Sequence, residues 1–173
     1  MKLYAITHEG FVRYCKARAY GIMDYHDLVN ETVLRAFDGF DTLKNRKAFS
    51  GFLYGIASNI IKNELRVKGR TEYKDEVKQY RIEENKAEKK LEIEALYKAL
   101  AKLPEEQEEA VVLFEISGYS IKEIAEMQKA TVSAVKQRLK RGREKLTELL
   151  KVDEEISIVM EIRKTGTLFS LFF

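Results

Sequence analysis

Ser133, Lys136, Gln137, Lys140, Arg141 and Arg143 lie close together near the end of a basic, patterned stretch. Lysine and arginine donate to phosphate oxygens and to guanine O6 and N7, and glutamine pairs with adenine. The chemistry these residues offer is recognition by charge and hydrogen bonds. Nothing in the chain groups a nucleophile, a base and an orienting residue, so no enzymatic reaction is assigned. His8, Cys15 and His26 lack the spacing of zinc ligands, and no glycine-rich loop stands ready to cradle a phosphate. No cofactor or metal is expected.

The stretch that must position the basic residues is GYSIKEIAEMQKATVSAVKQRLKRGREKL, Gly118 to Leu146. Ser120 and Glu123 have the S-x-x-E spacing of a capping box, which starts a helix. Ile121, Ile124, Ala125 and Met127 give it an apolar face. Thr131 is placed to cap a second helix. Val132, Val135, Leu139, Leu146 and Leu149 then recur at helical steps, and the basic residues face away from them. A short helix, a turn and a longer basic helix match a helix-turn-helix, whose second helix enters the major groove. The turn, Gln128-Lys129-Ala130, lacks glycine. Lys129 is expected in the left-handed region, at a cost of about 1 kcal/mol. The competing reading is an amphipathic helix with a solvated basic face.

The 173 residues include 45% hydrophobic and 34% charged side chains, one proline and one cysteine. That predicts an ordered, soluble chain with long helices and no internal disulfide. A net charge of +3 points to no partner, so nucleic-acid binding is argued only from local clustering. The N-terminus has no signal-peptide pattern, and no run is long enough for a membrane span. A cytoplasmic location is expected.

Four segments follow in chain order. The first, residues 1–67, reads as a helical domain. Its first helix buries Phe11, Val12, Tyr14, Cys15 and Ala19 and stops at Gly21. The next begins after Asp24 and buries Val29, Val33, Ala36, Phe37 and Phe40. Its other face, with Asp27, Asn30, Glu31, Arg35 and Asp38, is either solvated or a contact surface. The polar loop 41–47 leads to a third helix whose core face is Phe49, Phe52, Leu53, Ile56, Ile60 and Ile61. Tyr54, Ser58, Asn59, Lys62, Asn63 and Arg66 are its exposed candidates. Aromatics beside Lys47, Lys62 and Arg66 suit either stacking on unpaired bases or the core. Residues 68–90 read as a charged, flexible linker, partly helical or extended, with a reach of about 80 Å if extended at ~3.5 Å per residue. Residues 91–150 form a second helical domain, in which Pro104 opens a helix and Gly118 closes it. The tail, 151–173, alternates like a strand at Ile156, Ile158, Met160 and Ile162. It is expected either to dock, on this protein's own helices or on a partner, and so restrain the DNA-binding domain, or to be a disordered appendage.

Two of these stretches carry a family resemblance. DYHDLVNETVLRAFDGFDTLKNRKAFSGFLYGIASNIIKNELR resembles region two of a bacterial RNA polymerase sigma factor. ALAKLPEEQEEAVVLFEISGYSIKEIAEMQKATVSAVKQRLKRGREKL resembles region four. In this order, with a short charged linker between, they have the layout of the extracytoplasmic-function (ECF) group of the sigma-70 family. The resemblance implies an all-α fold of two small domains, the second with the helix-turn-helix. It implies core RNA polymerase and promoter DNA as partners, and admits an anti-sigma factor. It assigns polymerase contact to Asp27, Asn30, Glu31 and Leu34. It assigns the minus-ten element to Asn45, Lys47, Phe49, Tyr54, Asn59, Lys62 and Arg66. It assigns the minus-thirty-five element to Ser120, Ser133, Lys136, Gln137, Lys140, Arg141 and Arg143. Where the family carries a turn glycine and a neighbouring leucine, this chain has Lys129 and Gln128. The alternatives are a stand-alone helix-turn-helix regulator and a protein-interaction module.

Overall fold

The computed structural model describes residues 2–43, 48–68 and 87–152 of the 173-residue chain, and every described element is helical. Asn45, Lys47, most of the expected linker (69–86) and the tail from 153 onward lie outside the described residues. The chain divides into two compact units, Met1–Tyr80 and Arg81–Phe173.

The first unit packs three helices, α1 (Lys2–Arg18), α2 (Tyr25–Asp38) and α3 (Phe49–Lys68). Gly21 adopts φ +71°, which lets the chain turn after α1. The side chain of Asp24 accepts a hydrogen bond from the His26 backbone N–H at 2.7 Å and so caps α2. The core is aromatic at its centre. Tyr54 meets Phe11 and Tyr14 edge-to-face, with ring centroids 5.4 and 4.8 Å away. Each such contact adds about 0.5–1.5 kcal/mol to the burial itself. Leu28, Leu53, Ala57 and Ile61 complete it. Arg18 is also fully buried, which its charge did not suggest.

The buried seam of α2 differs from the expected one. Leu28, Thr32 and Ala36 face the core, while Phe37 is 76% and Leu34 63% exposed. Val29, Val33 and Phe40 are only half-buried. Threonine counts as polar in a periodicity pattern, yet Thr32 is fully buried. With Thr32 inside, the seam shifts by one residue and Phe37 turns outward.

The second unit is built around α7 (Val132–Val152), which packs against α4 (Ala87–Leu100), α5 (Glu105–Val111) and α6 (Ile121–Met127). The first helix of this unit starts at Ala87, so residues 87–90 of the expected linker are helical. Pro104 occupies the cap position just before α5. Beyond α5 the helix widens into a π turn, Val112–Ile116, where the Ser117 N–H reaches Val112 O at 3.1 Å. Gly118, at φ +74°, ends it.

The buried seam of α7 is Val135, Leu139, Gly142, Leu146 and Leu150. Val132 is 40% exposed and Leu149 half-buried, so two of the residues expected in the seam sit at its edge. Gly142 fills the place an apolar side chain would take, because α5 lies too close. A Cβ there would stand 2.8 Å from Val111 Cγ2. Valine in a helix has one strongly preferred rotamer and gives way poorly.

Gly142→Ala therefore sets two effects against each other. Helix propensity favours alanine by about 1 kcal/mol. Overpacking against Val111 costs about 1–3 kcal/mol. The clash is expected to win, lowering the thermal unfolding midpoint by several degrees; an unchanged or higher midpoint would refute the close crossing.

Candidate nucleic-acid interface

The turn into α7 is held by caps. The Ser120 hydroxyl accepts from the Glu123 N–H at 3.3 Å. The Glu123 carboxylate in turn accepts from the Ser120 N–H at 2.8 Å and from its hydroxyl at 2.6 Å. Hydrogen bonds to the charged form hold the Glu123 carboxyl below the usual carboxylate range, against a smaller upward push from burial. Thr131 Oγ1 accepts from the Ala134 N–H at 3.1 Å and starts α7. Between the two helices, Lys129 sits at φ 49°, the left-handed conformation expected of it.

Five of the seven residues assigned to the minus-thirty-five element share one exposed stripe. Ser133, Lys136, Gln137, Lys140 and Arg141 follow one another at helical spacing and all are exposed. Lys140 makes a loose 3.9 Å pair with Glu144, both well exposed. Such a pair is worth only a few tenths of a kcal/mol and leaves the ammonium available.

The other two are committed elsewhere. Ser120 is exposed, but its hydroxyl is occupied on both sides by the capping box. Arg143, its side chain still 41% exposed, turns toward the π turn beyond α5. Its Nε and Nη2 donate to Glu115 Oε1 at 2.8 and 2.5 Å, and its guanidinium lies 5.2 Å from the Phe114 ring centroid. Glu115 is 2% exposed and needs that cation. Arg143 is thus a structural ion pair, and its assignment to DNA is withdrawn. Arg138, absent from the expected list, also points inward, pairing with Glu106 at 2.6 Å.

In the first unit, Phe49 and Tyr54 are 7% and 3% exposed. Phe49 packs edge-to-face on Phe40 and Tyr54 lies in the aromatic core, so neither can stack on a base. That corrects both assignments. Asn59, Lys62 and Arg66 are exposed on one face of α3, with Arg66 donating to Asn63 Oδ1 at 3.3 Å.

On α2, Asp27, Asn30 and Leu34 are exposed. Glu31 is half-buried and paired with Arg35 at 2.5 Å. Phe37 continues the same face and was missed. Its three-residue step from Leu34 was the available signal, but the mistaken seam concealed it. Among the described residues, no cluster of His, Cys, Asp and Glu could hold a metal. None of their helices is long and apolar enough to cross a membrane.

Residues 7–71 match the model of sigma-70 region 2, and residues 93–146 that of sigma-70 region 4. The ECF RNA polymerase sigma factor EcfG of Rhodopseudomonas palustris is 35% identical over 130 residues, covering 73% of this chain and 71% of that protein. The chain belongs to the sigma-70 family, in its ECF group. The ECF RNA polymerase sigma-E factor of Escherichia coli is 29% identical over 135 residues, or 70% of this chain and 71% of that one. Among solved structures, the sigma factor RpoE bound to the anti-sigma factor NepR, from Bartonella quintana, superposes with a TM-score of 0.66 at 26% identity. It covers 87% of this chain and 99% of that one. CnrH, in complex with the cytosolic domain of CnrY, shares the fold with a TM-score of 0.66 at 24% identity, covering 88% and 87% of the two chains. The sigma factor is therefore a promoter-specific initiation factor from a non-enzymatic family.

Two measurements test the geometry of this sigma factor. Arg143→Met leaves the Glu115 carboxylate buried without its cation and is expected to cost about 2 kcal/mol in urea unfolding. An unchanged stability would return Arg143 to the surface set. Ser120→Ala removes the capping box and is expected to cost about 1 kcal/mol at neutral pH. The folded Glu123 carboxyl ionises below its unfolded value. Its contribution is therefore full above the unfolded value and lost as pH falls through the depressed one. Part of the Ser120→Ala deficit should vanish in acid; the same deficit at both pH values would contradict the capping box.

Proposed function

We propose that this initiation factor divides its work among three helix faces. The outer face of α7 reads the minus-thirty-five element in duplex DNA. Phosphate contacts from Lys136, Lys140 and Arg141 position the helix, and Gln137 reads an adenine edge. The outer face of α3, with Asn59, Lys62 and Arg66, and Asn45 and Lys47 earlier in the sequence hold the minus-ten element as it opens. The outer face of α2, with Asp27, Asn30, Glu31, Leu34 and Phe37, binds core RNA polymerase. Leu34 and Phe37 give that face an apolar centre with acidic and polar neighbours, the composition of a binding surface rather than a solvated one. The location is that of the polymerase, the cytoplasm. An anti-sigma factor is a further partner, in line with the complex of the Bartonella quintana relative with the anti-sigma factor NepR.

The observation that carries this reading is the clean separation of α7 into a buried apolar seam and an exposed stripe of Ser133, Lys136, Gln137, Lys140 and Arg141. A protein-interaction helix needs no such row of groove-directed donors.

One experiment with core polymerase and promoter DNA tests both ends. Gln137→Ala is expected to relax preference at a single base pair, at a cost of about 1–3 kcal/mol on the preferred site. Phe37→Ala is expected to reduce capture of core polymerase, with folding stability within about 0.5 kcal/mol of wild type. Unchanged base preference would remove α7 from promoter reading, and unchanged capture would remove Phe37 from the polymerase face.

A further inference from the structure

The turn before α7 carries a side chain whose bonds reach well beyond it. Through its backbone, Gln128 closes α6, donating to Ile124 O at 2.8 Å. Its side chain crosses to α5. There Nε2 donates to the Glu106 carbonyl at 3.2 Å and to the Glu109 carboxylate at 3.0 Å. On the other side, its Oε1 accepts from Arg138 Nη1 at 2.9 Å. Arg138 Nη2 then returns to the Glu106 carboxylate at 2.6 Å. One amide thus links the turn, α5 and α7 in a closed ring of hydrogen bonds.

Arg138 occupies a particular place on α7. It stands between exposed Gln137 and buried Leu139, on the flank of the helix. The apolar seam sets how closely α7 approaches α5. Apolar contacts are non-directional and constrain rotation of a helix about its own axis only loosely. Hydrogen bonds are directional, and a guanidinium held at two nitrogens resists rotation. A side-chain tip sits about 6 Å from the helix axis. Turning the helix by about 10° moves that tip by about 1 Å, enough to break a base contact that needs ~2.7–3.2 Å.

We infer that Gln128 and Arg138 are positioning residues for promoter reading. They touch no base; they fix the rotation of α7 from which Lys136, Gln137, Lys140 and Arg141 reach the groove. This rests on α7 being the base reader. It also gives a role to one of the departures from the family pattern, the glutamine where a leucine is usual.

The test uses the full chain with core polymerase, on the preferred minus-thirty-five site and on single-mismatch sites, over a range of salt. Gln128→Leu and Arg138→Gln are compared with wild type, and Gln137→Ala controls for the reading itself. Both positioning variants are expected to lose about tenfold in discrimination, equivalent to one good base contact. The slope of log affinity against log salt should stay unchanged, since no phosphate contact is removed. Glu106 is 70% exposed, so Arg138→Gln strands no buried charge there, and it decides the matter alone if Gln128→Leu fails to fold. Intact discrimination in folded Arg138→Gln overturns the inference. So does a slope flatter by about one unit, which would place Arg138 on a phosphate. If Gln137→Ala shifts base preference and the positioning variants do not, only the positioning role falls. If wild type itself does not discriminate, the reading of α7 falls with it.

Discussion

The second unit depends on how closely α7 approaches α5. Gly142 removes the side chain that would hold them apart, and Val111 fills the space. Next to this crossing, Arg143 and buried Glu115 form an ion pair between α7 and the π turn beyond α5. Such a pair adds little net stability over an apolar packing of similar shape, but breaking one side of it is costly. Both features are unforgiving of displacement, as the proposed promoter-reading role of α7 requires. Together they fix how near α7 stands to α5, a constraint separate from the rotation of the helix about its own axis.

The first unit solves a different problem. Three helices bury one small aromatic core, and the outer faces of α2 and α3 are left polar or sparsely apolar. A core centred on Phe11, Tyr14 and Tyr54 provides rigidity in a unit too small for a deep aliphatic interior. Leu34 and Phe37 remain outside, 63% and 76% exposed, on the face proposed for the polymerase.

Much of the helix-turn-helix was legible because its signals are local. The S-x-x-E box, the Thr131 cap and the left-handed Lys129 each depend on residues a few positions apart, and all three are found. The exposed stripe of α7 followed from the same periodicity. What was not legible depends on contacts distant in sequence. An arginine on a helix reads the same whether it meets a phosphate or a carboxylate. Only the fold shows that Arg143 and Arg138 turn inward to Glu115 and Glu106. Phe49 and Tyr54 lie near basic residues in the sequence but in the core in space. The seam of α2 was misplaced by one residue because Thr32 was counted as polar, and that concealed Phe37. The role of Gln128 had no sequence signal beyond its departure from the family pattern.

The central claim is that this chain gives core polymerase its choice of promoter. The direct measurement is run-off transcription from a library of promoter sequences, by core polymerase with and without the chain. Selective transcripts sharing a common minus-thirty-five and minus-ten pair are expected only when the chain is present. Tight duplex binding by the chain alone, with no selective transcripts from the polymerase, would contradict it and identify a stand-alone regulator instead.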